Sequence, residues 1–149
     1  MTRSERALLY FKDGFNCAQS VLAVFAHDLK LPERTALMIA SPFGAGMGRT
    51  QNVCGAVSGA IMVIGLRYGK GARDEDERRE DAYARTARFL DLFKTAHGSI
   101  NCRELIGVDL STPESRARAH ESGLFERLCA AYVRGAVEIL ESEMGSGGR

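Results

Sequence analysis

The stretch that decides the fold is QNVCGAVSGAIMVIGLRY, at residues 51–68. It does not alternate apolar with polar residues, and its apolar run over residues 53–66 is too short for a membrane span, which needs roughly 20 residues. We therefore predict a buried helix from about Gln51 to Tyr68. Small residues recur in it at one-turn spacing: Gly55, Ala56, Gly59 and Ala60. Such a surface allows the backbone of a second helix to approach closely.

The segments on both sides of this stretch also carry helical patterns, without the alternation or hairpin signals of strands. Cap residues and stop signals predict further helices over residues 4–12, 16–29, 32–41, 74–96, 101–106, from 112 onward, and 124–144. Ser4 is the predicted cap of the first helix, and Pro32 opens the third. We therefore expect an all-α fold, a compact single-domain bundle of about six to eight helices over residues 1–149 with no significant sheet. Residues 1–3 and 145–149 are expected to fray.

The composition excludes some classes of protein. With 20 basic and 19 acidic side chains, the formal net charge of +1 offers little attraction for nucleic acid. The apolar run nearest the amino end, residues 7–11, is flanked by charged residues, so no secretory signal is recognised. We therefore expect a cytoplasmic protein with no nucleic-acid partner and no membrane insertion. In that reducing compartment, cysteines are more often metal ligands, catalytic thiols or buried side chains than disulfides.

The chain contains four cysteines: Cys17, Cys54, Cys102 and Cys129. No two of them form a CxxC pair, so their spacing alone is a weak indication of a metal site. Three of them closely follow an asparagine: Asn16, Asn52 and Asn101. Because asparagine is a strong helix cap, we expect those three thiols in first helical turns, where the pKa of a thiol falls to about 3.5–7.5. Cys129 lies inside the last predicted helix and by itself would be assigned to the core.

We expect the four cysteines to converge at one site beneath a glycine-rich loop. The loop glycines, for which we expect positive φ angles, are Gly44, Gly46 and Gly48. Four sulfurs suit zinc or an iron–sulfur cluster. Without a metal, one thiolate attacks an oxidised partner and a second thiol resolves the mixed disulfide. The sequence leaves this choice open; within the set we expect Cys54 to matter most and Cys129 least.

Several segments together resemble the C_GCAxxG_C_C family, a group of proteins regarded as redox-active and defined by four cysteines and a CGAxxG motif. The segments that carry the resemblance are GFNCAQSVL at residues 14–22, FGAGMG at 43–48, CGAVSG at 54–59, Cys102 and Cys129. The resemblance implies a helical domain with a redox-active or metal-binding cysteine set. It also implies a redox partner and an association with transporters, near which such proteins are often encoded. The motif residues that would support the site are Gly55, Ala56 and Gly59.

A helical interaction module is the alternative of a different class. Its cysteines would be structural, and its surface would bind a protein partner or a second copy of the chain as a homo-oligomer. No evident general acid or base accompanies the cysteines, since His27, His97 and His120 are scattered. We interpret His97 as a cation near a helix carboxyl end. Nucleotide binding at residues 44–48 is disfavoured because the spacing is GxGxG and the preceding segment is helical.

Overall fold

The computed structural model describes residues 1–145, and helices dominate that part of the chain. In order, the helices within residues 1–145 are α1 Arg3–Lys12, α2 Cys17–Ala26, α3 Glu33–Ala40, α4 Gly55–Tyr68, α5 Asp76–His97, α6 Cys102–Ile106, α7 Pro113–Glu121 and α8 Ala130–Met144. The described residues form no strand, only an isolated antiparallel bridge between Val53 and Asn101. The predicted all-α class is therefore confirmed. Apart from Gly145, the expected fraying of residues 145–149 lies outside the described residues.

The start of α1 differs from the sequence prediction. Thr2, not Ser4, is the cap: its side chain accepts the Glu5 N–H, and the Glu5 carboxylate accepts the Thr2 N–H in return. This reciprocal arrangement satisfies two backbone donors that a helix start otherwise leaves without partners. Ser4 is buried instead. Residues 2 and 3 thus belong to an ordered helix start, where the sequence suggested fraying.

Residues 51–54 are not helical, although the sequence predicts that they are: Gln51 is left-handed, with a φ of 59°, and Val53 forms the bridge to Asn101. The backbone of this segment pairs with a segment far along the chain, because the Cys54 N–H donates to Ile100 O at 2.8 Å and the Cys102 N–H donates to Asn52 O at 2.7 Å. Helix α4 consequently begins at Gly55. The rest of the predicted helix, to Tyr68, is confirmed.

Helix α2 occupies the centre of the bundle. It packs on α4 and also on α1, α3 and α8, and almost every residue from Ala18 to Ala26 is buried. The small-residue surface of α4 makes its closest approach here: a Cβ atom on Gly59 would stand 2.7 Å from Ala18 O. Glycine is therefore required for this spacing, as the sequence indicated. Helix α5 packs on both α4 and α8.

The loop before residues 51–54 is left-handed over several consecutive residues. After a 3₁₀ turn at Ser41–Phe43, the φ angles at residues 45–49 are 51°, 67°, 71°, 58° and 67°. Gly46 and Gly48 confirm the expected positive φ, but Gly44 does not, and the non-glycine residues between them adopt it as well. Such a residue costs roughly 1–2 kcal/mol in this conformation. Backbone hydrogen bonds across the loop, such as Asn52 N–H to Gly46 O at 2.8 Å, offset that cost.

Within residues 1–145, none of the helices combines the length and apolar character that a membrane crossing requires.

Candidate functional site

A single cleft brings the four cysteines together. Its volume is about 730 Å³. Its walls come from α1, the starts of α2 and α4, the left-handed loop, α6, the end of α7, and residues 125–132, which include the beginning of α8. Every one of the cysteines lines it: Cys17, Cys54, Cys102 and Cys129. Folding thus brings together four cysteines that lie far apart in the sequence.

Three cysteines stand at helix starts, as predicted. Cys17 is the first residue of α2, Cys54 directly precedes α4, and Cys102 is the first residue of α6. The expected asparagine caps are present only at α2, where the Asn16 side chain accepts the Gln19 N–H at 2.9 Å. The side chain of Asn101 makes no cap bond at α6, and that of Asn52 donates to Thr50 Oγ1.

The glycines of the loop and of α4 have distinct positions around the cleft. Gly46 and Gly55 line it. Gly44 lies against Asn16, since a Cβ atom there would be 2.6 Å from the Asn16 Nδ2. A Cβ atom on Gly48 would meet only Pro42 O, at 4.0 Å. Ala56 and Gly59 are buried in α4, so they support the packing of the wall and lie outside the cleft lining.

Cys129 enters the cleft through a local widening of the helix. Residues Phe125–Cys129 form a π turn that runs directly into α8. A π turn holds one more residue than an α turn and often occurs at functional sites. Cys129 is half-buried and lines the cleft. The sequence treats this residue as ordinary core because a helical pattern does not show where the helix widens.

The expected lowering of the thiol pKa at helix starts is wrong. Burial raises the pKa of Cys54 to about 12, and the N–H groups of Ala56 and Val57 at the start of α4 offset only part of that effect. Burial also raises the pKa of Cys102 to about 11. These two side chains are only 5% and 7% exposed. Desolvation of the thiolate therefore outweighs the favourable helix terminus.

Cys17 and Cys129 behave as a pair. Their sulfurs share a hydrogen bond, which raises the pKa of Cys17 well above the ordinary value and lowers the pKa of Cys129. Burial opposes the lowering at Cys129, and so does the negative charge of Glu126. The first proton therefore leaves the pair more readily than it would leave an ordinary thiol, and the second leaves less readily. At the end of the first step the Cys17 thiol donates to a Cys129 thiolate.

Other polar side chains line the same cleft, and the sequence missed them: Lys12, His120, Glu126 and Tyr132. The position of Glu126, one turn before Cys129, is a signal that was available in the sequence. His97 is the last residue of α5, as expected, but it is not favoured as a cation. Its ring lies 5.3 Å from that of Tyr132 in an edge-on contact, and burial lowers its pKa, which favours the neutral form over a cation.

The cysteines supply the donor atoms that zinc and iron–sulfur clusters use. Their arrangement does not match this chemistry. Among residues 1–145, no three side chains of His, Cys, Asp or Glu are grouped closely enough to hold a metal ion.

The pKa values predict an order of alkylation. Because the thiolate is the nucleophile, a raised pKa slows the reaction, and at pH 8 only about one Cys54 side chain in ten thousand and one Cys102 side chain in a thousand is ionised. We expect iodoacetamide to modify Cys129 first. Each cysteine falls in its own tryptic peptide, so mass spectrometry across a pH series measures the four rates separately. Equal rates at Cys54 and Cys129 would contradict this order.

The fold and the cleft define a class of protein: an all-helical bundle with free cysteines gathered around one cavity. Residues 15–143 match the model of the family described as "Putative redox-active protein (C_GCAxxG_C_C)", and the chain belongs to that family. The description writes the motif as GCAxxG, whereas this chain reads CGAVSG at residues 54–59. No curated protein and no solved structure matches the chain.

Proposed function

We propose that the protein is a dithiol redox protein in which Cys17 and Cys129 reversibly form a disulfide. The observation that carries this proposal is that Cys17 and Cys129 line the same cleft. Their interaction there lowers the pKa of the Cys129 thiol and raises that of Cys17, which favours a thiolate at Cys129. These two are also the more exposed cysteines of the set, being half-buried where Cys54 and Cys102 are buried. An oxidant that enters the cleft therefore meets this pair first.

The chemistry follows from the two protonation states of the pair. The Cys129 thiolate attacks an oxidised partner and forms a covalent bond to it. Cys17 then loses its proton and attacks the Cys129 sulfur, which forms the disulfide and releases the partner with the bonding electron pair. In the balance, the two thiols lose two electrons and two protons, and the partner gains the electrons. Cys54 and Cys102 remain protonated throughout.

A metal form is the competing version of the proposal, in which the four cysteines hold zinc or an iron–sulfur cluster. Its support is the position of all the sulfurs on one cleft. A metal would have to displace the protons of Cys54 and Cys102, whose pKa values are raised to about 12 and about 11. Its binding would therefore weaken steeply as the pH falls.

One experiment distinguishes the dithiol form from the metal form. The protein is purified without oxygen, its iron and zinc are quantified, and its thiols are counted before and after mild oxidation. We expect the four thiols to fall to two, with tryptic peptide 13–30 linked to peptide 128–134. A Cys54–Cys102 link would contradict the assignment of the pair. Stoichiometric metal bound by the cysteines would establish the metal form instead.

The interaction module makes a different prediction in the same experiment. If the cysteines are purely structural, all of them should titrate as ordinary thiols and no disulfide should form under mild oxidation. A concentration-dependent change in molar mass would then be the positive sign of self-association. Such a result would replace the redox proposal.

A further inference from the structure

We infer that the cleft binds a planar, uncharged, conjugated oxidant, a quinone, and that the Cys17–Cys129 pair reduces it. This inference rests on the proposed function and names the class of its substrate. Three features of the cleft carry it: the access to the thiols, the aromatic lining and the balance of charge around the sulfurs.

Access to the thiols favours a small molecule over a protein disulfide. The sulfurs lie inside the cleft, and even the more accessible pair, Cys17 and Cys129, is half-buried there. A disulfide on a protein surface would have to enter the cleft to be attacked in line with its S–S bond. The cleft volume of about 730 Å³ lies within the range of about 300–1,000 Å³ that small-molecule sites occupy.

The lining of the cleft is unusually aromatic for this chain. Of the seven phenylalanines, Phe25, Phe89 and Phe93 are fully buried in the core. The other phenylalanines are only partly buried, and all of them except Phe43 line the cleft. Aromatic rings that keep part of their faces open offer stacking surfaces to a planar ligand.

The ring of Tyr132 adds to this surface. Its hydroxyl donates to Leu105 O at 2.6 Å, so the polar atom already has a partner. The neighbouring aliphatic side chains on the cleft are Leu8, Leu105, Ile106 and Leu110. The walls therefore complement an apolar molecule with a flat ring.

The charges around the cleft favour an uncharged ligand. Lys12 and Glu126 both line it and carry opposite signs. The thiolate that the hydrogen bond favours at Cys129 would repel an anion such as glutathione disulfide or a flavin phosphate. Of the common two-electron oxidants, a quinone combines a flat apolar ring with zero charge.

The reaction balances without a further component. The Cys129 sulfur bonds to the quinone, and the Cys17 sulfur then attacks Cys129. The new S–S bond forms as the bond between sulfur and quinone breaks, and the electron pair of the broken bond stays on the ring. The ring takes up the two protons that the thiols lose and leaves as the hydroquinone.

The test uses duroquinone, whose fully substituted ring resists permanent alkylation of the thiols. Binding is measured on the Cys129→Ser chain by quenching of tyrosine fluorescence, and turnover on the unaltered reduced chain by hydroquinone formed per thiol lost. We expect saturable binding and one hydroquinone for each pair of thiols. The double substitution Phe15→Leu with Phe125→Leu keeps the apolar volume but removes two ring faces, and should weaken binding about tenfold.

Phe43→Leu is the matched control, because Phe43 is partly buried but does not line the cleft. Binding to this variant should be unchanged, and circular dichroism shows that each variant folds. Where the double variant loses helix, each single variant should weaken binding about threefold.

Equal weakening by Phe43→Leu, absence of saturable binding, or faster reduction of glutathione disulfide than of duroquinone would overturn the inference. If diamide oxidises the pair but duroquinone neither binds nor is reduced, the quinone assignment fails while the dithiol proposal stands. Binding without oxidation by either reagent contradicts the dithiol proposal as well.

Discussion

Replacement of Gly59 by alanine should lower the free energy of unfolding by about 2 kcal/mol. The new Cβ atom would stand 2.7 Å from Ala18 O and 3.2 Å from both Ala18 Cα and Val21 Cβ. Two of these neighbours are backbone atoms of the central helix, so relief requires α2 and α4 to separate. The gain of about 1 kcal/mol in helix propensity offsets only part of the cost. Urea unfolding followed by circular dichroism measures the difference.

Gly65→Ala is the matched control for this prediction. Gly65 lies in the same helix, and a Cβ atom there meets nothing within 4 Å. The substitution should therefore stabilise the protein by about 0.5–1 kcal/mol, which is the propensity gain alone. If both variants are stabilised, the close approach of α2 and α4 at Gly59 does not constrain the fold.

The close packing of α4 on α2 affects the geometry of the cleft as well as the stability of the fold. A Cβ atom on Gly55 would stand 3.2 Å from Cys17 Cβ, so the small face of α4 also sets the position of this thiol. Separation of α2 from α4 would move Cys17 relative to Cys129. Gly59→Ala should accordingly slow disulfide formation in addition to lowering stability.

Cys129→Ser should reduce the rate of oxidation of the dithiol on the order of 100-fold or more. A hydroxyl does not ionise near neutral pH, and the thiolate that begins the reaction would be lost. Cys17→Ser should have a different effect: the first bond to the oxidised partner forms at Cys129 and is not resolved. Stopped oxidation reactions analysed by mass spectrometry distinguish the two variants, because only the second accumulates an adduct on peptide 128–134.

Cys54→Ser is the control for this ranking. Cys54 is buried, and its thiol pKa is raised to about 12, so it should contribute little thiolate at neutral pH. The variant should keep most of the activity if the fold is intact. A larger loss with Cys54→Ser than with Cys129→Ser would restore the order of importance that the sequence indicated and would favour the metal form of the site.

Local patterns predicted much of the fold. Helices α3 and α5 end within about one residue of the predicted positions, whereas α2 ends at Ala26, before the predicted residue 29. Gly98 terminates α5 with a φ of 94°, as its position indicated. The prediction was wrong where distant segments compete with local preference. Residues 51–54 are not helical, because their backbone pairs with residues 100–103. The left-handed turn at residues 45–49 includes non-glycine residues that no local rule would place there.

Some features of the candidate site could likewise be predicted from the sequence, and others could not. That Cys17 stands at a helix start follows from the chain alone, because Asn16 caps its immediate neighbours. Cys54 and Cys102 also stand at helix starts as predicted, but no side chain caps α4 or α6, and the backbones of the two segments pair with each other instead. The protonation state of these thiols does not follow from the sequence, because it depends on which other segments exclude water from each sulfur. The pairing of Cys17 with Cys129 likewise required the folded bundle.

By itself the sequence determined an all-helical chain, the small surface of α4 and the presence of a four-cysteine motif, since periodicity and side-chain size are local properties. The tertiary structure decided which thiols lie within hydrogen-bonding reach and which way each pKa moves. Burial and contact arise between segments remote in sequence, and desolvation at Cys54 and Cys102 exceeds the local effect of the helix termini. The cleft and its aromatic walls exist only after the helices have packed.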